Sequence, residues 1–203
     1  MLGMAERKGL VDFQIIDLRQ FGEGAHQTVD GRPYGGGPGM LFRADILAHA
    51  WKSVKGKKYT ILTSPAGKQF KQAEAKRLSK LKHILIICGH YEGVDQRFID
   101  KYVDEEISIG DYVLTGGELP ALVIADAVTR LIPGVLKTEE ASNEESFTEN
   151  LLEHPQYTRP EIFEGMAAPK VLLSGHHGQI KSWKKEKSLE KTIKIRPDIL
   201  KNN

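Results

Sequence analysis

The sequence predicts an α/β protein built around a parallel β-sheet. Segments typical of strands alternate with amphipathic segments typical of helices, as in proteins whose parallel strands are joined by helices. One predicted strand, His83–Cys88, is apolar throughout, which is typical of a parallel strand covered on both faces. Glycine-rich turns follow several predicted strands. Ligands of open parallel sheets bind at the carboxyl ends of strands, so these turns are the first candidates for a site.

The individual elements follow from hydrophobic periodicity and from the positions of glycine and proline. Val11–Ile16 alternates apolar and polar residues and is predicted to be a strand. Phe21–Leu41 contains seven glycines and two prolines, which indicates a long ordered or functional loop. The elements predicted next are a helix over Asp45–Val54, a strand over Tyr59–Thr63, a helix over Gln69–Leu81, the strand His83–Cys88, a short helix over Gln96–Lys101, a strand over Glu105–Ile109, the segment Gly110–Pro120 and a helix that ends at Ile132.

The composition changes after this last helix. Residues 137–149 are rich in Glu, Ser and Thr and hold one large apolar residue, Phe147, which predicts a flexible acidic linker. We therefore expect an α/β domain over residues 1–136, the linker, and a small helical domain over residues 150–203. Nine basic residues against three acidic ones from Lys170 onward favour phosphate binding there, although a solvated helix face would have the same composition.

Several classes of protein do not fit the composition. A single cysteine, Cys88, excludes an intrachain disulfide. The chain has no apolar run of membrane-spanning length and no leader pattern at its start, so we expect a cytoplasmic protein. It contains neither a P-loop nor a dinucleotide-binding glycine motif. Its seven histidines lack metal-ligand spacing, so no metal site is expected.

Three glycine-rich turns are the strongest candidates for a binding site. They are Ser64–Gly67, Gly89–Gly93 and the segment Ile109–Pro120, each placed directly after a predicted strand. Glycine allows main-chain N–H and C=O groups to approach a flat ring without a Cβ in the way. Together the three turns indicate a pocket for an adenosine-like group, whereas any one of them alone could serve only to reverse the chain.

Longer motifs carry a resemblance to a known family. They are Asp30–Met40 (DGRPYGGGPGM), Cys88–Asp95 (CGHYEGVD), Ser108–Pro120, Asp126–Leu136 (DAVTRLIPGVL), His154–Pro160 (HPQYTRP) and Val171–His177 (VLLSGHH). These motifs closely resemble the bacterial tRNA (guanosine-37-N1)-methyltransferases nearly from end to end. The resemblance implies a SPOUT-type parallel sheet with a deep trefoil knot, followed by a small α-helical domain. Knots are almost absent from proteins, and only the resemblance suggests one here.

The resemblance also implies a methyl donor and partners. The donor is S-adenosyl-L-methionine, and the substrate is tRNA, bound by a homodimer whose active site lies at the subunit interface. A divalent ion is neither indicated nor excluded. The donor contacts carried over to this chain are Ser64, Pro65, Gly89, Glu92, Ile109, Gly110, Asp111, Tyr112, Val113 and Leu114, and the same pocket is lined by Gly116, Gly117 and Pro120.

The implied reaction requires a base and a cation. N1 of guanine bears a proton, so a carboxylate must remove it, and a cation should face the charge that gathers on O6. The family's positions fall on Glu145 as the base, where aspartate is common, and on Arg130 as the cation. The residues expected to contact tRNA are Arg32, Tyr34, Asp126, His154 and Arg159.

Relative to the family, the usual first β-strand and its Phe-Pro turn are expected to be missing, which would leave one strand of the sheet as an unprotected edge. Two other functions remain open. One is an RNA-binding protein that keeps the donor pocket with weak or no catalysis. The other is a methyltransferase of another RNA position.

Overall fold

The computed structural model describes residues 1–136, 145–147 and 149–201. The chain divides into two compact units, Met1–Lys137 and Thr138–Asn203, which are described separately below. No helix within the described ranges is both long enough and apolar enough to cross a lipid bilayer.

The first unit contains five α-helices and five strands among its described residues. In chain order they are α1 (Leu2–Arg7), β1 (Asp30–Gly31), β2 (Leu41–Phe42), α2 (Ala44–Ser53), β3 (Tyr59–Gln69), α3 (Gln72–Leu78), β4 (Ile84–Cys88), α4 (Gln96–Tyr102), β5 (Glu105–Ser108) and α5 (Glu118–Thr129), with a 3₁₀ helix at Leu18–Phe21. Strands β4, β3 and β5 form a parallel sheet in that order, and β1 pairs antiparallel with β2.

Helices cover the sheet on both faces. Successive residues of the central strand β3 point in opposite directions, so each of its faces packs against a different pair of helices. Ile61 faces one core cluster with Leu78 of α3 and Ile124 of α5. Leu62 faces the other cluster with Leu47 of α2 and Phe98 of α4. Burying each such side chain contributes about 1.5–3 kcal/mol. This two-sided burial confirms the predicted parallel α/β sheet.

Most predicted elements of this unit are confirmed with small shifts of their ends, but the strand predicted at Val11–Ile16 is wrong. The segment pairs with no other strand of the described chain, and Ile15 is 98 % exposed. Alternating apolar residues give a strand only where a neighbouring strand supplies hydrogen bonds and one face is buried. Helix α3 is also shorter than predicted, because Lys68 and Gln69 extend β3 after a bulge.

A network of charged side chains links α3 to strands β3 and β5. Glu74 accepts from Lys68 at 2.7 Å and from Arg77 at 3.0 Å. Arg77 also pairs with Glu105, whose carboxylate accepts a hydrogen bond from the Tyr59 hydroxyl at 3.0 Å. The hydrogen bonds from Lys68 and then Arg77 lower the pKa of Glu74 below its ordinary value. The network therefore favours an ionised Glu74 in the folded protein.

In the second unit, residues 151–157 pack along a long helix. Its elements are the hairpin of β6 (Ile162–Phe163) and β7 (Met166–Ala167), the helices α6 (Lys170–Leu173) and α7 (His177–Ile195), and a 3₁₀ helix at Pro197–Lys201. The buried Thr192 hydroxyl accepts a hydrogen bond from the Leu152 N–H at 2.8 Å, and Lys191 donates to the Glu153 carbonyl at 3.0 Å. Glu164 and Gly165, both with positive φ, form the two-residue turn of the hairpin.

Most of the predicted linker, residues 137–144 and Thr148, lies outside the described residues. Ser146 and Phe147 are hydrogen-bonded to residues of the second unit. The Phe147 N–H donates to the Leu151 carbonyl at 2.8 Å, and the Ser146 hydroxyl accepts from the Glu153 N–H at 3.0 Å. These two bonds fix the chain just after Glu145.

Replacing Glu74 should remove a pH-dependent part of the stability. Because the folded-state pKa of Glu74 lies below 4.5, the unfolded chain binds more protons at acidic pH. The contribution is complete above pH 4.5 and is lost as the pH falls through the folded-state pKa. Glu74→Gln should therefore be less stable than the wild type at pH 7, and the difference should shrink toward pH 3. Urea unfolding measured across this range tests the prediction. Glu6→Gln, which changes an exposed glutamate of α1, is the charge-matched control, and an unchanged gap between Glu74→Gln and wild type down to pH 3 would contradict it.

Candidate functional site

The described part of the first unit has a pocket of about 430 Å³ at the carboxyl ends of the three parallel strands. Because parallel strands end at the same edge of a sheet, the segments that follow β3, β4 and β5 meet there. The lining comes from residues 62–66, 89–94 and 106–110, from 112–117, and from Ile99 and Pro120. All three predicted glycine-rich turns contribute to it.

The segment after β3 reaches the pocket through a bulge. Thr63 and Lys68 both lie opposite Ile107 of β5, so the four residues between them leave the ladder. A Cβ on Gly67 would lie 2.5 Å from the Ile107 nitrogen, so only glycine fits between this loop and β5. Ser64 stabilises the loop, since its hydroxyl accepts from the Ala66 N–H at 3.2 Å.

The segment after β4 is joined to the glycine-rich loop between β1 and β2. The Glu92 N–H donates to the Met40 carbonyl at 3.0 Å, and the Phe42 N–H donates to the Gly93 carbonyl at 3.0 Å. Gly39 has φ +81°, and a Cβ there would lie 2.2 Å from the Glu92 side chain. The glycine-rich loop therefore ends against the wall of the pocket. Arg32 and Tyr34 of this loop are exposed, and Tyr34 is 96 % accessible.

The segment after β5 closes the pocket by packing against the other two. The Gly117 N–H donates to the Gly89 carbonyl at 2.7 Å, and the main chains of His90 and Gly116 form an isolated antiparallel β-bridge. A Cβ on Gly117 would lie 2.1 Å from the Thr63 hydroxyl and 2.6 Å from the Gly89 nitrogen. The Thr63 hydroxyl itself donates to the Ile87 carbonyl at 3.1 Å. Residue 117 must therefore be glycine if the three segments are to touch.

Twelve of the thirteen residues predicted to bind the donor line this pocket, and Asp111 does not. Asp111 is exposed at the tip of the segment after β5. Thr63 and Ser108 also line the pocket and were not predicted, whereas His90, another lining residue, lies within the predicted turn Gly89–Gly93. The Ser108 hydroxyl donates to the Gly110 carbonyl at 3.0 Å and accepts from the Gly110 N–H at 3.2 Å, which shapes the turn. The signal that could have identified Thr63 and Ser108 is a hydroxyl residue at or next to the end of a predicted strand.

Two titratable groups near the pocket have structural roles. Burial, followed by the charge of Glu118, raises the pKa of the Cys88 thiol, so Cys88 is a protonated thiol and not a nucleophile at neutral pH. The hydrogen bond from Arg97 lowers the pKa of Asp95, which caps the start of α4 by accepting from the Arg97 N–H at 3.0 Å. No group of three metal-ligating side chains is found among the residues described.

Arg130 and Asp126 lie together on a second surface of the same unit. Helix α5 ends with Arg130 as its C-cap, one turn after Asp126. Both line an open depression with Gln72, Leu122, Val123 and Ala127. The surrounding apolar side chains Leu119, Leu122 and Val123 are exposed.

The remaining predicted residues belong to the second unit. Glu145 is half-buried and Arg159 is exposed. His154 is 7 % exposed, and its ring packs 6.2 Å from that of Trp183. Its Nδ1 lies 3.0 Å from the Pro155 carbonyl. Because the His154 side chain is buried, a role in shaping the segment 151–157 is favoured over direct contact with RNA. The predicted contact of His154 with tRNA stays a prediction.

Comparisons with known proteins agree with this architecture. The family model "tRNA (Guanine-1)-methyltransferase TrmD" matches residues 1–202. The tRNA (guanine-N(1)-)-methyltransferase of Dictyoglomus turgidum is 50 % identical over 98 % of this chain and 82 % of its own length. The proteins of the same name from Carboxydothermus hydrogenoformans and Magnetococcus marinus are 48 % and 47 % identical, over 99 % and 98 % of this chain and over 80 % and 82 % of their own lengths. The chain belongs to the tRNA (guanine-1)-methyltransferase family.

Proposed function

We propose that this protein transfers a methyl group from S-adenosyl-L-methionine to N1 of guanosine 37 in tRNA, in the cytoplasm. The observation that carries the proposal is the pocket at the strand ends, which is walled by three glycine-containing main-chain segments in a chain of this family. Incubation with the donor and unmodified tRNA, followed by mass spectrometry of the digested RNA, tests it. The proposal requires 1-methylguanosine at position 37, and methylation elsewhere or no methylation would overturn it.

The residues around the pocket fit the donor. Its adenine is flat, and the close approach of Gly117 to Gly89 leaves main-chain groups, not side chains, along one wall. Leu114 and Pro120 supply apolar surface for the ring, and Glu92 is a carboxylate suited to the donor's polar groups. When bound, S-adenosylmethionine supplies a methyl group activated by a sulfonium. The protein's task is to hold the guanine N1 in line with that methyl group.

The acceptor must lose a proton before it can react. On this proposal the Glu145 carboxylate removes the N1 proton of guanine, and the Arg130 guanidinium faces O6, where negative charge develops. Asp126, one helical turn before Arg130 and in the same depression, would orient the guanidinium or contact the base. The exposed Arg32 and Tyr34 of the glycine-rich loop would cover the reacting groups.

The proposal includes a trefoil knot formed by the segments after β4 and β5. Its support is the contact of Gly117 with Gly89, where the two segments approach without an intervening side chain. Because knots are almost absent from proteins, the Gly117–Gly89 contact alone would not suggest one. The inference of a knot rests mainly on membership of the family. The small second unit, with its basic helix α7, would bind the anticodon arm through phosphates.

We also propose a homodimer. Helix α5 exposes Leu119, Leu122 and Val123, and the pocket segment exposes Tyr112, Val113 and Leu114, of which Val113 is 83 % exposed. An exposed apolar surface of this kind is typical of protein–protein interfaces. It borders both the donor pocket and Arg130, so a partner docked on it would lie beside the reacting groups.

Substituting Gly117 should destroy the donor pocket. A Cβ at this position meets the Gly89 nitrogen and the Cys88 Cα at 2.6 and 2.8 Å, so the main chain has to move. Gly117→Ala should weaken donor binding at least tenfold and lower the melting temperature. Calorimetric titration with S-adenosylmethionine measures the first effect. Gly3→Ala in α1, where a Cβ meets only the flexible Arg7 side chain at 3.7 Å, is the matched control and should bind normally. Normal donor binding by Gly117→Ala would contradict the assignment of the pocket.

Removing the proposed base should slow chemistry without loss of the donor. Glu145→Gln keeps the shape of the side chain but cannot accept the proton, so single-turnover methylation should fall by about 10²–10⁴-fold. Glu145→Asp should retain a rate near that of the wild type, because only the reach of the carboxylate changes. Rapid-quench assays across pH 6–9 with saturating tRNA measure both rates. An unchanged rate in Glu145→Gln would exclude the proposed role, and so would equal losses in the Gln and Asp variants.

A charge on the apolar face of α5 should dissociate the dimer. Leu122→Glu would bury an unpaired carboxylate in the proposed interface, which costs several kcal/mol, about enough to separate the subunits at micromolar concentration. Sedimentation velocity should show a monomer, and methylation should be lost. Leu189→Glu, at an exposed leucine of α7, is the control that should remain dimeric. A monomeric and active wild type would contradict the proposal.

A further inference from the structure

The end of the sheet opposite the donor pocket is strongly basic. The loops that lead into β4 and β3 meet at this end, because Ile84 lies opposite Tyr59 in the parallel ladder. Residues 52–58 and 80–83 contain no acidic residue and hold the lysines Lys52, Lys55, Lys57, Lys58, Lys80 and Lys82, with His83. We call these residues the basic edge.

The two carboxylates at the start of β5, Asp104 and Glu105, are fewer than the six lysines of the basic edge. Asp104 accepts a hydrogen bond from the Thr60 N–H at 2.7 Å. Glu105 is bound by Arg77 and by the Tyr59 hydroxyl. Lys57 and Lys82 are exposed, and neither has an ion-pair partner in the ranges that the structure describes.

Part of the basic edge is held in place by aromatic rings. The Lys58 ammonium lies 3.5 Å from the centre of the Trp51 ring and donates to the Val54 carbonyl at 2.8 Å. Trp51 packs 4.8 Å from Tyr102, whose ring carries Lys101 at 5.6 Å. Burial, and then the charge of Lys55, lower the pKa of Lys58, so positive charges are crowded here. An anion bound beside them would relieve this repulsion.

We propose that the basic edge binds the ribose–phosphate backbone of the tRNA whose guanine is methylated, at a part of the molecule away from the anticodon loop. This inference rests on the proposed function. The five paired residues of β4 span about 16 Å, so a helical RNA stem that starts near the pocket and is longer than this can reach the opposite end of the sheet. Phosphates are bound by lysine through charge alone, so the contact adds affinity but no sequence preference.

The test compares two charge-matched double variants. Lys57→Gln with Lys82→Gln removes two charges of the basic edge, and Arg7→Gln with Arg19→Gln removes two exposed charges elsewhere in the same unit. Each phosphate contact contributes about 0.7–0.9 to the slope of log K against log salt. The lysine variant should therefore bind full-length tRNA about tenfold more weakly at 0.1 M salt, with a slope smaller by about 1 to 2. The arginine variant should match the wild type.

A second probe separates this contact from general attraction. A hairpin of the anticodon loop with three base pairs is too short to reach the basic edge, so both variants should bind it as the wild type does. Donor binding and single-turnover methylation at saturating tRNA should also be unchanged. The inference is overturned if the lysine variant binds full-length tRNA normally, or if it loses hairpin and tRNA binding equally. Absence of methylation by the wild type would instead overturn the proposed function, because the binding slopes are measured without turnover.

Discussion

The close approach of Gly117 to Gly89 and Thr63 is the constraint on which the site depends. A hydrogen bond of 2.7 Å joins Gly117 to Gly89, and any Cβ at residue 117 would overlap main-chain atoms. This contact ties the segment after β5 to the ends of β3 and β4, and it also places the start of α5. Because α5 carries Asp126 and Arg130, the same contact that shapes the pocket fixes where those two side chains stand on the unit.

On the proposed mechanism, binding and chemistry are carried by different kinds of group. The pocket is built largely from glycine and from main-chain atoms at strand ends, which suits recognition of a flat ring but provides little acid–base chemistry. Cys88, at the end of β4, is a protonated thiol because burial raises its pKa. On the proposed mechanism the reactive side chains, Arg130 and Glu145, therefore come from elements outside the pocket, and the pocket's task is restricted to presenting the methyl group.

The sheet and the position of its pocket could be predicted from the sequence, because buried periodicity and strand-end glycines are local signals. His83–Cys88 and Asp45–Val54 lie within one residue of the observed elements. Val11–Ile16 failed because alternation alone does not supply a pairing partner. The bulge that carries Ser64 pairs with Ile107 of β5, and Gly117 contacts Gly89 and Thr63, so both features join residues far apart in the sequence that no local pattern encodes. Asp111 was included by resemblance, although it does not line the pocket as its neighbours Gly110 and Tyr112 do.

The polarity of a parallel sheet explains why charge and binding are separated along it. Parallel strands gather their outgoing segments at one end and their incoming loops at the other, so each end evolves a surface of its own. Here the outgoing end is glycine-rich and the incoming end is lysine-rich, in a chain whose net charge is only +2. A nearly neutral protein attracts a polyanion best where its positive charge is concentrated, because salt at physiological strength screens exposed charges beyond about 8 Å. For the proposed RNA contact, the location of the lysines therefore matters more than their number.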